Sequence, residues 1–465
     1  PPANSAPTAS LMSPAPNTTV ATTVAAEESM TIAQKIGSFT KNLFSSVDPD
    51  VLTAQGVGGP AIIHVTTTSP SGVGSLEAAL RASGNRIIVF DVAGVIDISN
   101  HDTLIPRPGA SDYIKGYAIT NPGVVIAGET APAPGITIIG EGIRVMAPNV
   151  YVRHIKSRAG TRSPYRSSNS FYVHYYNTPV HNVLVQNNSF SWAMDQNGST
   201  DPDTGDNASS VSGRMYDITF DRNIFSEGLR FARDGYYGDL ELANHSHGLL
   251  IGEGTRDVTI TNNLFAHNRK RNPWLGQGAN VLVANNYIYN PEVQVMSNTW
   301  GNVNNSNGAR WNVINNVVKS GPNTGNAQQN GLMLVQYNSD NSVNSGTPVA
   351  RSYIRGNSHP GFVEMKCVDY RNPPSLTSCT PFVSNSYIPA VDSAINAQWL
   401  AIIADALPAS GVKSHVLQTA GAQPWARDDI DQRVIDEATA EGNSGSIPNT
   451  EVDKEGYPNY GTTFH

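Results

Sequence analysis

Residues 182–190 read N-V-L-V-Q-N-N-S-F, and the pattern returns as D-I-T-F-D-R-N-I-F at 217–225, D-V-T-I-T-N-N-L-F at 257–265 and N-V-L-V-A-N-N-Y-I at 280–288. Two weaker copies follow: R-W-N-V-I-N-N-V-V at 310–318 and R-S-Y-I-R-G-N-S-H at 351–359. Each copy alternates apolar and polar residues, as one half-buried strand does, and then reaches an asparagine. Those asparagines are Asn188, Asn223, Asn263, Asn286, Asn316 and Asn357, and the shortest interval is the 23 residues from Asn263 to Asn286. Periods of roughly 20–50 residues mark solenoids, propellers and arrays. Asparagine after a strand tolerates left-handed backbone and bonds neighbouring backbone groups, so stacked coils would align these side chains into a ladder. One strand per repeat is too few for a four-stranded propeller blade. The expectation is an all-β, right-handed parallel β-helix.

Outward from the repeat, the chain has 465 residues, 41 Gly and 30 Pro, which is turn-rich without collagen-like bias. Only 15% of residues are charged and the net charge is −8, which argues against a general nucleic-acid binder with a basic face. No apolar run approaches the ~20 residues of a membrane-spanning helix.

Four segments are expected. Residues 1–29, rich in Ala, Thr, Pro and Ser, read as an extended or disordered linker, like the start of a mature secreted chain whose signal peptide has been removed. Residues 30–56 hold an amphipathic helix, with Ile32, Ile36, Phe39 and Leu43 on one face, and a connector. That helix packs on its own domain, or residues 1–44 serve self-association or docking on a partner. The β-helix is expected over 57–390, interrupted by a helix at 75–82 with Ser75 as N-cap. Residues 391–465 then pack along its outside. Cys367 and Cys379 enclose a Pro-rich loop and suit one disulfide, with free thiols or a metal as the other readings. Asn17, Asn244 and Asn304 lie in N-x-S/T sequons, which matter only in a eukaryotic secreted protein.

Further blocks carry a family resemblance over about residues 56–465. They include G-V-G-G-P-A-I-I-H-V-T-T-T-S-P-S-G-V-G-S-L at 56–76, N-S-F-S-W-A-M-D-Q-N at 188–197, H-S-H-G-L-L-I-G-E-G at 245–254 and N-L-F-A-H-N-R-K-R-N-P at 263–273. W-A-R-D-D-I-D-Q-R-V-I-D-E at 425–437 is similar to the family's terminal helical segment. In this order the blocks resemble the bacterial pectate-lyase-like proteins of polysaccharide lyase family 1. The resemblance implies β-elimination in a 4-linked uronate polysaccharide. The substrate carboxylate must be offset, the proton on carbon 5 removed, and the developing enolate held by cations.

The resemblance places the family's catalytic R-x-P element at Arg271-Asn272-Pro273 and makes Arg271 the base or principal carboxylate ligand. An arginine base is awkward, because guanidinium stays protonated far above neutral pH. Arg269 and Lys270 are weaker substrate-binding candidates, and Trp274 is a candidate for stacking on a sugar ring. Trp300, Trp311, Tyr236 and Tyr237 are more remote candidates, with core packing as the ordinary alternative.

Departures from the family pattern bear on cofactors. His247 stands where members commonly carry a substrate-contacting Lys, and serves as a catalytic or binding group or as a structural histidine. Gln186 and Gln196 replace acids, no acid is evident around Asn169, and Asp195 is the only retained metal candidate. Calcium takes several oxygen ligands with carboxylate charge, so no cofactor is expected beyond weakly bound calcium. The acidic run holding Asp201, Asp203 and Asp206 is the opposing consideration. The leading expectation is therefore a secreted or surface lyase acting on an acidic or esterified polysaccharide with little calcium dependence. Its rival is a non-catalytic glycan-binding or structural β-helix of a surface or virion appendage.

Overall fold

The computed structural model describes residues 60–457 except 101–104, 107–112, 115, 163–167, 176–177, 203–212, 234–238, 277, 299–308, 338–350, 370–378 and 380–382. The linker and helix expected within 1–56 lie outside the described residues. So do Tyr236, Tyr237, Trp300, Asp203 and Asp206.

Three parallel sheets of ten, eight and nine strands run through the described residues, and one coil contributes a strand to each. A central coil shows the pattern. Met215–Asp221 lies in the first sheet, Ile224–Ser226 in the second and His247–Ile251 in the third. Alternation turns Ile218 and Phe220 inward, where they meet Val183 and Val185 of the coil before and Val258 and Ile260 of the coil after. Phe190, Phe225 and Phe265 stack through successive coils, with centroids 5.4 and 5.1 Å apart. The fold is an all-β parallel β-helix, as the repeat predicts. The helix expected at 75–82 is observed at Leu76–Arg81, with the Ser75 hydroxyl accepting from the Ala78 amide.

The asparagine ladder is present. Asn188 Nδ2 donates to Asn223 Oδ1 at 3.1 Å, Asn223 to Asn263 at 3.0 Å, and Asn263 to Asn286 at 2.9 Å. Asn286 continues to Asn316 and Asn316 to Asn357, each at 2.9 Å. Each Oδ1 also accepts the backbone amide of the preceding ladder member, so buried turn amides are satisfied.

One detail differs from expectation. The left-handed residue is the one before the ladder asparagine: Asn187, Arg222, Asn262, Asn285 and Asn315 have φ between 52° and 57°. Several of these point outward and hold the C-terminal segment. Asn187 Nδ2 donates to the Thr419 carbonyl at 2.6 Å, while Asn285 and Asn315 both bond the Leu407 carbonyl.

That C-terminal segment forms helices Ser393–Ala404, Ala409–Thr419 and Asp429–Ala440. Trp399 and Ile395 cover Leu282, Ala284 and Ile314 on the first sheet. Val412, Val416, Val434 and Ile435 cover Ile224, Leu264 and Tyr287 on the second. Buried ion pairs fasten the last helix. Arg158 meets Asp428 at 2.7 Å and Asp431 at 2.8 Å, and Glu227 meets Arg433 at 2.7 Å and Lys454 at 3.2 Å. Cys367 and Cys379 are disulfide-bonded. No single helix among the described residues is long and apolar enough to cross a membrane.

Candidate active site on the third sheet

Successive coils enter the third sheet through turns that carry the candidate residues. Asp195 immediately precedes the strand Gln196–Pro202, His245 and Ser246 precede His247–Ile251, and Arg269–Pro273 precede Trp274–Leu275. Backbone bonds pin these turns together. The Arg269 and Lys270 amides both donate to the Ser246 carbonyl, the Gly248 amide to the Lys270 carbonyl, and the Leu249 amide to the Arg271 carbonyl. His247 and Lys270 thereby form a parallel bridge. The turns require left-handed backbone at Ser246 (φ 57°) and Arg271 (φ 64°).

Asp195, Gln196, His247 and Arg271 form one connected group. Gln196 Nε2 donates to Asp195 Oδ1 at 2.8 Å, and Gln196 Oε1 accepts from Arg271 Nη1 at 2.6 Å. His247 Nδ1 lies 3.2 Å from the same Asp195 oxygen. The Arg271 guanidinium sits 4.1 Å from the Trp274 ring centroid, a cation–π contact. Arg271 is therefore not the loose, exposed turn residue that its charged neighbourhood suggests.

The electrostatics follow from this packing. Burial pushes the Asp195 carboxyl up, but the His247 bond and the charges of Arg271 and His245 outweigh it and hold it at about 2. Burial drives His247 down to about 3, and Arg271 and Lys270 add to this against the pull of Asp195. His247 is thus neutral near pH 7, and Asp195 is ionised. Burial, together with the charges of Arg271 and Arg269, brings Lys270 down to about 8.

Other expected residues are placed as follows. Arg269 is turned to the far side, where its Nη1 donates to the Asn244 carbonyl at 3.1 Å and its Nε lies 3.9 Å from Glu292. Gln186 is not in this group. It lies in the first-sheet strand Val180–Gln186 and bonds Asp221 at 2.9 Å. Asn169 does reach the site, accepting from the Gln196 amide at 2.9 Å. Trp311 is wholly buried in the core and lines no groove.

Sequence reasoning passed over two features. His245 stacks on His247, 4.9 Å between centroids, and its Nδ1 meets the Met194 carbonyl at 2.7 Å. Gln196 is more than a lost acid, because its amide bridges carboxylate and guanidinium. The H-S-H spacing and the Asp-Gln adjacency are the only signals in the chain for either.

Asp195, His245 and His247 each offer a ligand atom within 4.8 Å of the others, a set that a metal ion could use. It does not fit calcium. Two imidazoles and one carboxylate are not an oxygen cage, the Asp195 oxygen already accepts two bonds, and Arg271 and Lys270 bring positive charge close by.

Curated relatives are fungal. A protein named probable pectate lyase C from Aspergillus flavus is 25% identical over 428 residues, covering 90% of this chain and 82% of its own. Its namesake from Aspergillus terreus is 30% identical over 280 residues, covering 58% of this chain and 53% of its own. Among solved structures, a pectate lyase bound to a hexasaccharide aligns at 14% identity with a TM-score of 0.46, covering 78% of this chain and 92% of that one. No protein-family model matches the chain.

Proposed function

We propose that this chain, a pectate-lyase-like protein, is a polysaccharide lyase that cleaves pectate-type uronate chains by β-elimination. The observation that carries the proposal is a guanidinium bonded to the neutral Gln196 amide and stacked over Trp274 at the entry to the third sheet. Arg271 is positioned by the Gln196 amide and the Trp274 ring, with the Asp195 carboxylate acting on the same group. Such a group suits the carboxylate of a uronate, which it can engage through its planar fork. That contact would draw negative charge from carbon 5 and stabilise the enolate formed when the proton leaves.

Among the described residues the cations at the site outnumber the carboxylate of Asp195, which favours the free acid over the methyl ester. No tightly held calcium is needed to offset the substrate carboxylate on this reading. Extracellular action is part of the same proposal, since pectate lyase C names the fungal relatives and their substrate lies outside the cell.

The test is incubation with polygalacturonate, methyl-esterified pectin, alginate and glucuronan, following absorbance of the unsaturated product. Activity should be greatest on polygalacturonate, and Arg271→Lys should lose about 100-fold or more in kcat/KM, the scale of one lost charge-stabilising donor. Failure of wild-type protein to form unsaturated product from any of the four would remove the proposal.

A further inference from the structure

We infer that Asn268 is a positioning residue for the proposed reaction, the centre of a second buried chain of amides that fixes the turn carrying Arg271 against the strand carrying Gln196. This deepens the lyase reading and rests on it. Asn197, Asn268 and Asn272 are buried at 0%, 1% and 1% exposure, so none of them can touch substrate. Two of them directly follow site residues in the chain, Asn197 after Gln196 and Asn272 after Arg271. Asn197 Nδ2 donates to Asn268 Oδ1 at 3.1 Å, and Asn268 Nδ2 donates to Asn272 Oδ1 at 3.2 Å. Both ends are tied to backbone: Asn197 Oδ1 accepts from the Ala193 amide at 3.2 Å, and Asn272 Nδ2 donates to the Gln294 carbonyl at 3.3 Å. The coil in between supplies the other partners. Asn197 donates to the Ser226 carbonyl at 2.9 Å and Asn268 to the Phe225 carbonyl at 2.8 Å, while Asn268 Oδ1 accepts from the Gly228 amide at 3.0 Å. Asn268 thus makes all four bonds a carboxamide can make, and three coils fix its place.

Position inside the coil becomes orientation at the site. Neighbouring residues of a strand point to opposite faces, so an inward Asn197 turns Gln196 toward Arg271. At the other end Asn272 anchors the turn in which Arg271 holds left-handed backbone, φ 64°. A side chain on Gly248 would meet Asn272 Oδ1 at 2.8 Å, so the strand that begins at His247 also packs directly on this chain. The two outer neighbours then meet, Arg271 Nη1 donating to Gln196 Oε1 at 2.6 Å. Without Asn268 the two ends lose their common link, and guanidinium and amide no longer share a fixed separation. The long ladder offers a comparison. Asn316 is as fully bonded, to Asn357 and the Val283 carbonyl, but lies between strands of the first and second sheets.

The test is a double-mutant cycle on polygalacturonate with wild type, Asn268→Ala, Arg271→Lys and the double variant, and with Asn316→Ala as a second buried amide loss. Displacing a reacting group by about 1 Å costs up to about 10²-fold, so Asn268→Ala should lose about 10–100-fold in kcat with KM held within about threefold. Because Asn268 acts through Arg271, its loss should cost less than about threefold more in the Arg271→Lys background, where independent effects would multiply. Asn316→Ala should weaken the fold comparably yet keep kcat within about twofold, since it is not coupled to the site. Wild-type kcat in folded Asn268→Ala would overturn the assignment. So would a loss that multiplies with that of Arg271→Lys, or an equal kcat loss in Asn316→Ala, since either makes Asn268 a structural amide only. If Asn268→Ala does not fold, Asn197→Ser cuts the same chain at its Gln196 end and replaces it in the cycle, with the same outcomes. Failure of both to fold overturns the assignment, because the chain then serves the fold alone. Absence of unsaturated product from wild type overturns the lyase reading and this assignment with it, whereas every other result bears on Asn268 alone.

Discussion

At Gln196 one amide sets how much positive charge the site presents. It bonds Asp195 through nitrogen and Arg271 through oxygen, so it orders both without neutralising either. A carboxylate there would pair with Arg271 directly and, with Asp195, supply two of the charged oxygens calcium prefers. Gln196→Glu should therefore lower activity on polygalacturonate about tenfold in chelator, and added calcium should recover part of it. Unchanged activity with no calcium response would show that the amide is incidental. Asp195, His247, Arg271 and Trp274 were legible in the sequence because each lies in a local block, and the fold brings the turns of successive coils together. Gln186 was singled out because the family pattern has an acid at its position in the block ending S-F-S-W, but its place in the coil keeps it apart from the Asp195 group. It precedes the ladder asparagine and lies on the first sheet, whereas the site lies at the entries to the third. Charge state was not legible at all: His247 looks like an ordinary titrating imidazole until its burial at 2% exposure is known.

The element that repeats is a strand followed by two turn residues with divided roles. The first adopts left-handed backbone, and as Asn187, Asn285 and Asn315 it reaches out to the C-terminal segment, whereas Asn262 bonds Asp221; the second enters the ladder. Sequence pattern revealed the ladder but merged the two roles, since asparagine suits both. Asn263 lies mid-ladder, accepting from Asn223 and donating to Asn286 and the Phe220 carbonyl. Asn263→Ala would strand several buried donors and acceptors at once. The expected cost is about 3–5 kcal/mol in denaturant unfolding, several times the penalty of one unsatisfied group. A cost below about 1 kcal/mol would mean that the ladder is decorative. The C-terminal helix depends instead on charge. Burial raises the Glu227 carboxyl, but Arg433 and Lys454 outweigh it and hold it at about 2, against an ordinary 4.5. A depressed carboxyl contributes stability above its unfolded pKa and loses it as pH falls through the folded one. The Asp429–Ala440 helix should thus lose up to about 3 kcal/mol of protection between about pH 4.5 and 2. Hydrogen exchange across that range is the measurement, and Glu227→Gln should flatten the dependence while weakening the helix at neutral pH. An unaltered slope in Glu227→Gln would assign the acid sensitivity to other groups.

For the molecule as a whole, C-terminal helices pack on the first and second sheets, while the charged turns gather at the entries to the third. That division gives a solenoid a stable back and a chemical face. The back was foreseeable from the terminal block at 425–437, and the choice of sheet was not, because it depends on which outward positions are apolar in three dimensions. A site built on arginine and lysine around one carboxylate should work without calcium, and removal of the ion by chelator should leave at least half of the activity on polygalacturonate. The central claim is elimination itself, and product stoichiometry tests it most directly. Polygalacturonate should be digested in chelator, counting C4–C5 double bonds by absorbance and new reducing ends by chemical titration on the same samples. Elimination predicts as many double bonds as new reducing ends throughout the reaction. New reducing ends without double bonds would mean hydrolysis, and neither product from folded, glycan-binding protein would mean a β-helix that holds its glycan without cutting it.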